Sequence, residues 1–163
     1  MINQLISIPD AVMVRQAFIE IEKLNEETMD YGLKLSEENI KLILSTRKEA
    51  LISSGRVEFG GGIITKIISA FCDSPYIFQY NYVETINDLI ETFYYYKNET
   101  MEEISDDELI DFMKDYFDDK CQGDLELLKY KYLEKAAHNV KYGVKDFLNV
   151  DDNLEEDEVE DDE

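Results

Sequence analysis

Residues 60–71 read GGGIITKIISAF, and this stretch decides the fold class. After three glycines the apolar residues Ile63, Ile64, Ile67, Ile68, Ala70 and Phe71 recur at helical spacing, interrupted by Lys66 and Ser69. A helix apolar over most of its circumference has to be covered by its neighbours, so this one is expected at the centre of a helical core. It ends at Cys72-Asp73-Ser74-Pro75, because Pro75 disfavours helical geometry at the residue before it.

The flanking chain repeats the same period. A first helix is expected from about Asp10 to Leu24, with Pro9 and Asp10 at its start and Val14, Ala17, Phe18, Ile21 and Leu24 on one stripe. NEETMDYG then breaks it. Ser36 is a good N-cap for a second helix reaching about Ser53, with Gly55 as its stop. A fourth runs from about Tyr82 to Lys97 behind Asn81. Ser105 and Glu108 form the S-x-x-E capping box of a fifth, in which Leu109, Ile110, Met113, Tyr116 and Phe117 face inward. A sixth follows Gly123, carries Leu125, Leu128, Tyr132, Leu133, Ala136 and Val140, and closes at Gly143. Arg56-Val57-Glu58-Phe59 alternates and reads as one short extended piece, but no second strand signal exists to pair with it. The expectation is an all-α bundle of about six helices over residues 1–145.

The chain has 163 residues and a formal charge of −22, of which −11 belongs to residues 1–145. From Asp146 to Glu163 there are eleven acidic residues and no basic one. Self-repulsion with so little to bury argues for a disordered acidic tail over 146–163. Such a charge argues against direct nucleic-acid binding, which depends on Lys and Arg displacing counterions, and against an anionic membrane surface. MINQLISIPD lacks the basic stretch and the long apolar run of a secretory signal, and nowhere do eighteen apolar residues occur in succession, so a cytoplasmic protein is expected. Cys72 and Cys121 lie far apart without the spacing of a disulfide framework or a zinc finger, and both read as free thiols.

RVEFGGGIITKIISAFCDSPYI, NYVETINDLIETFYYYKNE, SDDELIDFMKDYF and CQGDLELL resemble a small family of uncharacterised Firmicutes proteins, a domain of unknown function, over roughly residues 25–137. The resemblance implies a bacterial cytoplasmic origin and transfers no site.

Several constellations bear on chemistry. Gly60, Gly61 and Gly62 open a helix with Lys66 one turn inside, so their bare N–H groups offer an anion site at the positive end of the helix dipole. The P-loop and dinucleotide patterns are both absent, and glycines that merely turn the chain would look the same. His138, the only histidine, would have to activate Cys72 or Cys121 in a thiol enzyme, yet no signature surrounds either cysteine. Aligning Asp118 to the first position of a calcium loop brings Gly123 to the sixth, but puts Lys120 and Lys129 at ligand positions, which rules the loop out. Asp106 to Glu108 suit a helix start rather than a cation. No catalytic residue, cofactor or metal is therefore expected.

The aromatic density is the most unusual feature: Tyr76, Phe78, Tyr80 and Tyr82, then Phe93, Tyr94, Tyr95 and Tyr96. Four consecutive aromatics span almost the whole circumference of a helix, so at least one of Tyr94, Tyr95 and Tyr96 has to leave the core. Tyr76, Tyr80, Tyr94, Tyr95 and Tyr96 are thus the residues expected to meet a protein partner or a second copy, a satellite core and a small-molecule pocket being the alternatives. Three functions fit the sequence: a helical interaction or adaptor module using the Tyr-rich surface; a protein with a pocket near Gly60–Gly62 that binds an anion or small molecule; or an acidic mimic of nucleic acid that binds a basic protein through the tail.

Overall fold

A computed structural model describes residues 2–150, with side chains from Val12 onward; Met1 and the stretch from Asp151 to Glu163 lie outside it, and with them most of the acidic tail. The architecture is all-α, with six principal helices and, among the described residues, no strand. The helices are α1 (Ile2–Lys23), α2 (Glu37–Ser54), α3 (Gly62–Phe71), α4 (Tyr82–Glu99), α5 (Asp106–Asp118) and α6, which runs through Leu125–Leu127, Leu128–Leu133 and Glu134–Lys141. The chain divides into two compact units, one up to Tyr95 and one from Tyr96 onward. The division falls inside α4, whose eighteen residues extend for about 27 Å, long enough to serve two clusters of side chains.

In the first unit, α1 begins well before the expected Asp10 and carries Pro9 within it, since residues 2–8 contain no helix breaker. Ala17 and Ile21 of α1, Ile40 and Ile43 of α2, all four isoleucines and Phe71 of α3, and Ile86, Leu89, Ile90 and Phe93 of α4 are buried. NEETMDYG does end α1, but by tight helical turns at Asn25–Thr28 and Met29–Tyr31 that close on the left-handed Gly32. Ser36 caps α2 as expected. Its hydroxyl accepts from Asn39 N (3.1 Å) and the Asn39 side chain accepts from Ser36 N (3.0 Å), so an asparagine supplies the reciprocal half of the box.

In the second unit, Ser105 accepts from Glu108 N (3.2 Å) and donates to its carboxylate (2.9 Å), starting α5 where the sequence puts it. Lys97 is buried, donates to the Ile104 carbonyl and pairs with Asp106 at 3.0 Å, closing the turn between α4 and α5. α6 widens to π geometry over Leu128–Leu133. The Tyr96 hydroxyl lies 3.1 Å from the Lys129 carbonyl and 2.6 Å from the Glu134 carboxylate, and a side chain set into the helical ladder is a recognised cause of such widening. Residues 146–150 are still anchored here: Asn139 donates to the Phe147 carbonyl at 3.2 Å and Val150 is buried.

Candidate functional site

Two places in the first unit combine unusual side chains with defined geometry. One is the start of α3. Gly60 and Gly62 both adopt left-handed backbone (φ +58° and +48°), which other residues resist. The chain supplies the anions itself. Glu20 from α1 accepts from Gly61 N at 2.7 Å, and Glu58 accepts from Ile63 N at 3.2 Å. The Gly61 N–H, followed by the Gln16 side chain, holds the Glu20 carboxyl below its ordinary value.

Glu58 is also the hub of a buried charge network. Its side chain is 7% exposed, with Arg47 Nη1 at 3.6 Å and Arg56 Nε at 3.0 Å. The Tyr94 hydroxyl donates to Glu58 Oε2 at 2.7 Å, and Arg47 donates to the Gly60 carbonyl at 2.8 Å. The Arg56 guanidinium stands 5.9 Å from the ring centroids of both Phe93 and Tyr94. With two cations, a hydroxyl and a backbone N–H around it, the buried carboxylate is fully compensated. The alternation in residues 56–59 is real but inverted relative to an ordinary half-buried strand: the charged Arg56 and Glu58 point inward, and Val57 and Phe59 are exposed on irregular chain. Lys66 lies on the exposed side of α3.

The other place is the loop between α3 and α4. Gln79 uses its amide as a strand would: its Oε1 accepts from Lys34 N at 2.8 Å and its Nε2 donates to the Lys34 carbonyl at 3.0 Å. Asn25 does the same for Leu35, with distances of 2.9 and 3.0 Å. Successive peptide groups of the 33–35 segment are thus paired through side-chain amides. Asn81, expected as the cap of α4, instead closes the loop behind it, accepting from Phe78 N at 2.7 Å and donating to the Tyr76 carbonyl at 3.3 Å. Because Gln79 and Asn81 are both fixed, Phe78 and Tyr80 are held pointing outward. Their rings stack with centroids 5.7 Å apart and an interplanar angle of 5°. Phe78 is 50% exposed and Tyr80 84% exposed.

The aromatic residues singled out from the sequence therefore separate. Tyr80 and Tyr95 are exposed and Tyr76 is half-buried, whereas Tyr94 and Tyr96 turn inward. The last two are corrections to the expected surface, and the reason is chemical: their hydroxyls find acceptors at Glu58 and at Lys129 and Glu134 respectively. Burial, aided by Glu58, raises the Tyr94 hydroxyl far above its ordinary value. Sequence reasoning missed Glu20, Glu58 and Gln79, since an isolated carboxylate or amide carries no local pattern; only the long-range contacts give these three their roles.

Cys121 is buried, its thiol pushed up to about 11 chiefly by desolvation. A thiol so protonated is a poor nucleophile. His138 is exposed and rests on the Tyr142 ring with centroids 4.5 Å apart. The segment considered for calcium is a helix ending: Cys121 N and Gly123 N donate to the Tyr116 and Phe117 carbonyls at 2.8 Å, with Gly123 at φ +86°.

Fold and site together define a small all-α protein with an internally compensated charge network and an aromatic loop held open to solvent. Residues 20–146 match a family of unknown function, DUF6323, and the chain belongs to that family. No curated protein and no solved structure matches it. Among the described residues no helix is long and apolar enough to cross a membrane.

Proposed function

We propose that this protein is a cytoplasmic protein-protein interaction module that docks a polypeptide through the aromatic loop at Tyr76–Asn81. The observation that carries the proposal is the pair of parallel rings, Phe78 and Tyr80, left exposed on a loop whose backbone is fixed by Gln79 and Asn81. Large rigid aromatics give contact area at low conformational cost, and a loop already in its final conformation loses little entropy on binding. The pocket alternative at Gly60–Gly62 is less favoured, because Glu20 and Glu58 already accept from that helix start. A photo-crosslinking amino acid at position 80 of the full chain, irradiated in the cells the protein comes from, tests this. The expected result is a discrete polypeptide adduct at position 80 and none from the same label at position 66. Absence of an adduct at 80 would refute the docking role of the loop.

A further inference from the structure

Resting on that reading, we infer that the aromatic loop takes a basic polypeptide segment, with an arginine or lysine head seated on the Phe78–Tyr80 rings. The local charge is one-sided. The hydrogen bonds between Lys34 and Gln79 tie the turn that exposes Met29 and Tyr31 to the loop that exposes Phe78 and Tyr80. Along these two segments Glu26, Glu27, Asp30 and Asp73 are exposed, with Glu84 just beyond the loop, against the exposed bases Lys34 and, just before the turn, Lys23. The chain as a whole is acidic too, with a net charge of −22. Aromatic faces attract cations, a guanidinium stacks on them especially well, and an acidic rim steers a basic partner while repelling an acidic one. A second copy of this chain would bring its own negative charge to the contact, and an anionic lipid surface would do the same.

The test uses the purified full chain and two blocked peptides of repeating Arg-Gly-Leu, one natural and one with every arginine replaced by citrulline, which keeps the shape and removes the charge. Titration calorimetry should show the arginine peptide binding at least about tenfold tighter than the citrulline peptide, the margin of one well-made contact. Phe78→Ala/Tyr80→Ala should weaken it by about tenfold, and Tyr80→Ala, the more exposed change, should give part of that loss. The Tyr80 ring resonances of the unmodified protein should shift on adding the arginine peptide. Undiminished binding by the double variant would mean attraction elsewhere on an acidic chain and would overturn the inference. Equal binding of the two peptides, abolished by the variant, would also overturn it while leaving a docking surface in place. No binding of either peptide would overturn it too; the crosslink at position 80 decides the docking role separately.

Discussion

The start of α3 and the loop before α4 sit in the same unit and solve opposite problems. At the start of α3, polar groups that water would ordinarily satisfy are satisfied within the protein, by Glu20, Glu58 and Arg47. At Tyr76–Asn81 the loop is held internally, Asn81 bonding the Phe78 N–H and the Tyr76 carbonyl and Gln79 bonding the Lys34 peptide, but two aromatic rings that a core would ordinarily cover are left outside. A glycine-rich helix start looks like a ligand site in sequence, and here two carboxylates of the chain itself accept from it. A polar amide in a loop looks incidental and is what presents the exposed rings. Stability is expected to reside in the first region and association in the second.

Breaking the charge network should have the largest effect. Glu58→Ala removes the carboxylate that Arg47 and Arg56 share and should cost about 3–5 kcal/mol in equilibrium unfolding, the range for removing one partner of a buried pair. Gly61→Ala comes next. Its added methyl would meet Thr65 Cγ2 at 2.2 Å, inside contact distance of a stiff β-branched side chain, and should lower stability by about 1–3 kcal/mol. Gln79→Ala, on the other side of the comparison, should cost about 1 kcal/mol and speed hydrogen exchange at the Lys34 amide, because two hydrogen bonds are lost at an exposed site.

The smallest effect concerns pH. The folded value of Glu20 lies below its ordinary 4.5, so its contribution is complete above that pH and is lost as the pH falls through the folded value. Glu20→Gln should therefore flatten the acid limb of the stability curve below about pH 4.5 without changing the slope near neutrality. At the alkaline end the sign reverses. Tyr82, pushed up to about 12 by burial, stabilises the fold fully below about pH 10, and that contribution is lost as the pH rises through about 12.

Most of the helical frame was legible because its signals are local. The apolar period over Ile63–Phe71, the Ser36 cap with Gly55 as stop, and the Ser105–Glu108 box each place a helix end within a few residues of where it lies. The π-widened stretch of α6 was not legible, since it is tied to Tyr96, some thirty residues away in sequence. Helical spacing puts Tyr94, four residues after Ile90, and Tyr96, three after Phe93, on the buried stripe of α4 and leaves Tyr95 off it, but the acceptor that meets the Tyr94 hydroxyl, Glu58, was not legible. The glycines were correctly placed at a helix start, but the carboxylate that meets Gly61 comes from residue 20, forty-one positions earlier. Pairings at such separations leave no trace in spacing or periodicity. Phe78 and Tyr80 were visible as aromatic density, and Gln79 between them gave no sign that it would fix both.

The most direct test of this division is to compare the unfolding free energies of Glu58→Ala and Tyr80→Ala with that of the unsubstituted protein. Removing a ring that is 84% exposed should change stability by less than about 0.5 kcal/mol, while Glu58→Ala loses several times more. A loss of about 2 kcal/mol or more for Tyr80→Ala would make the aromatic loop a small core of its own and contradict its assignment as a docking surface.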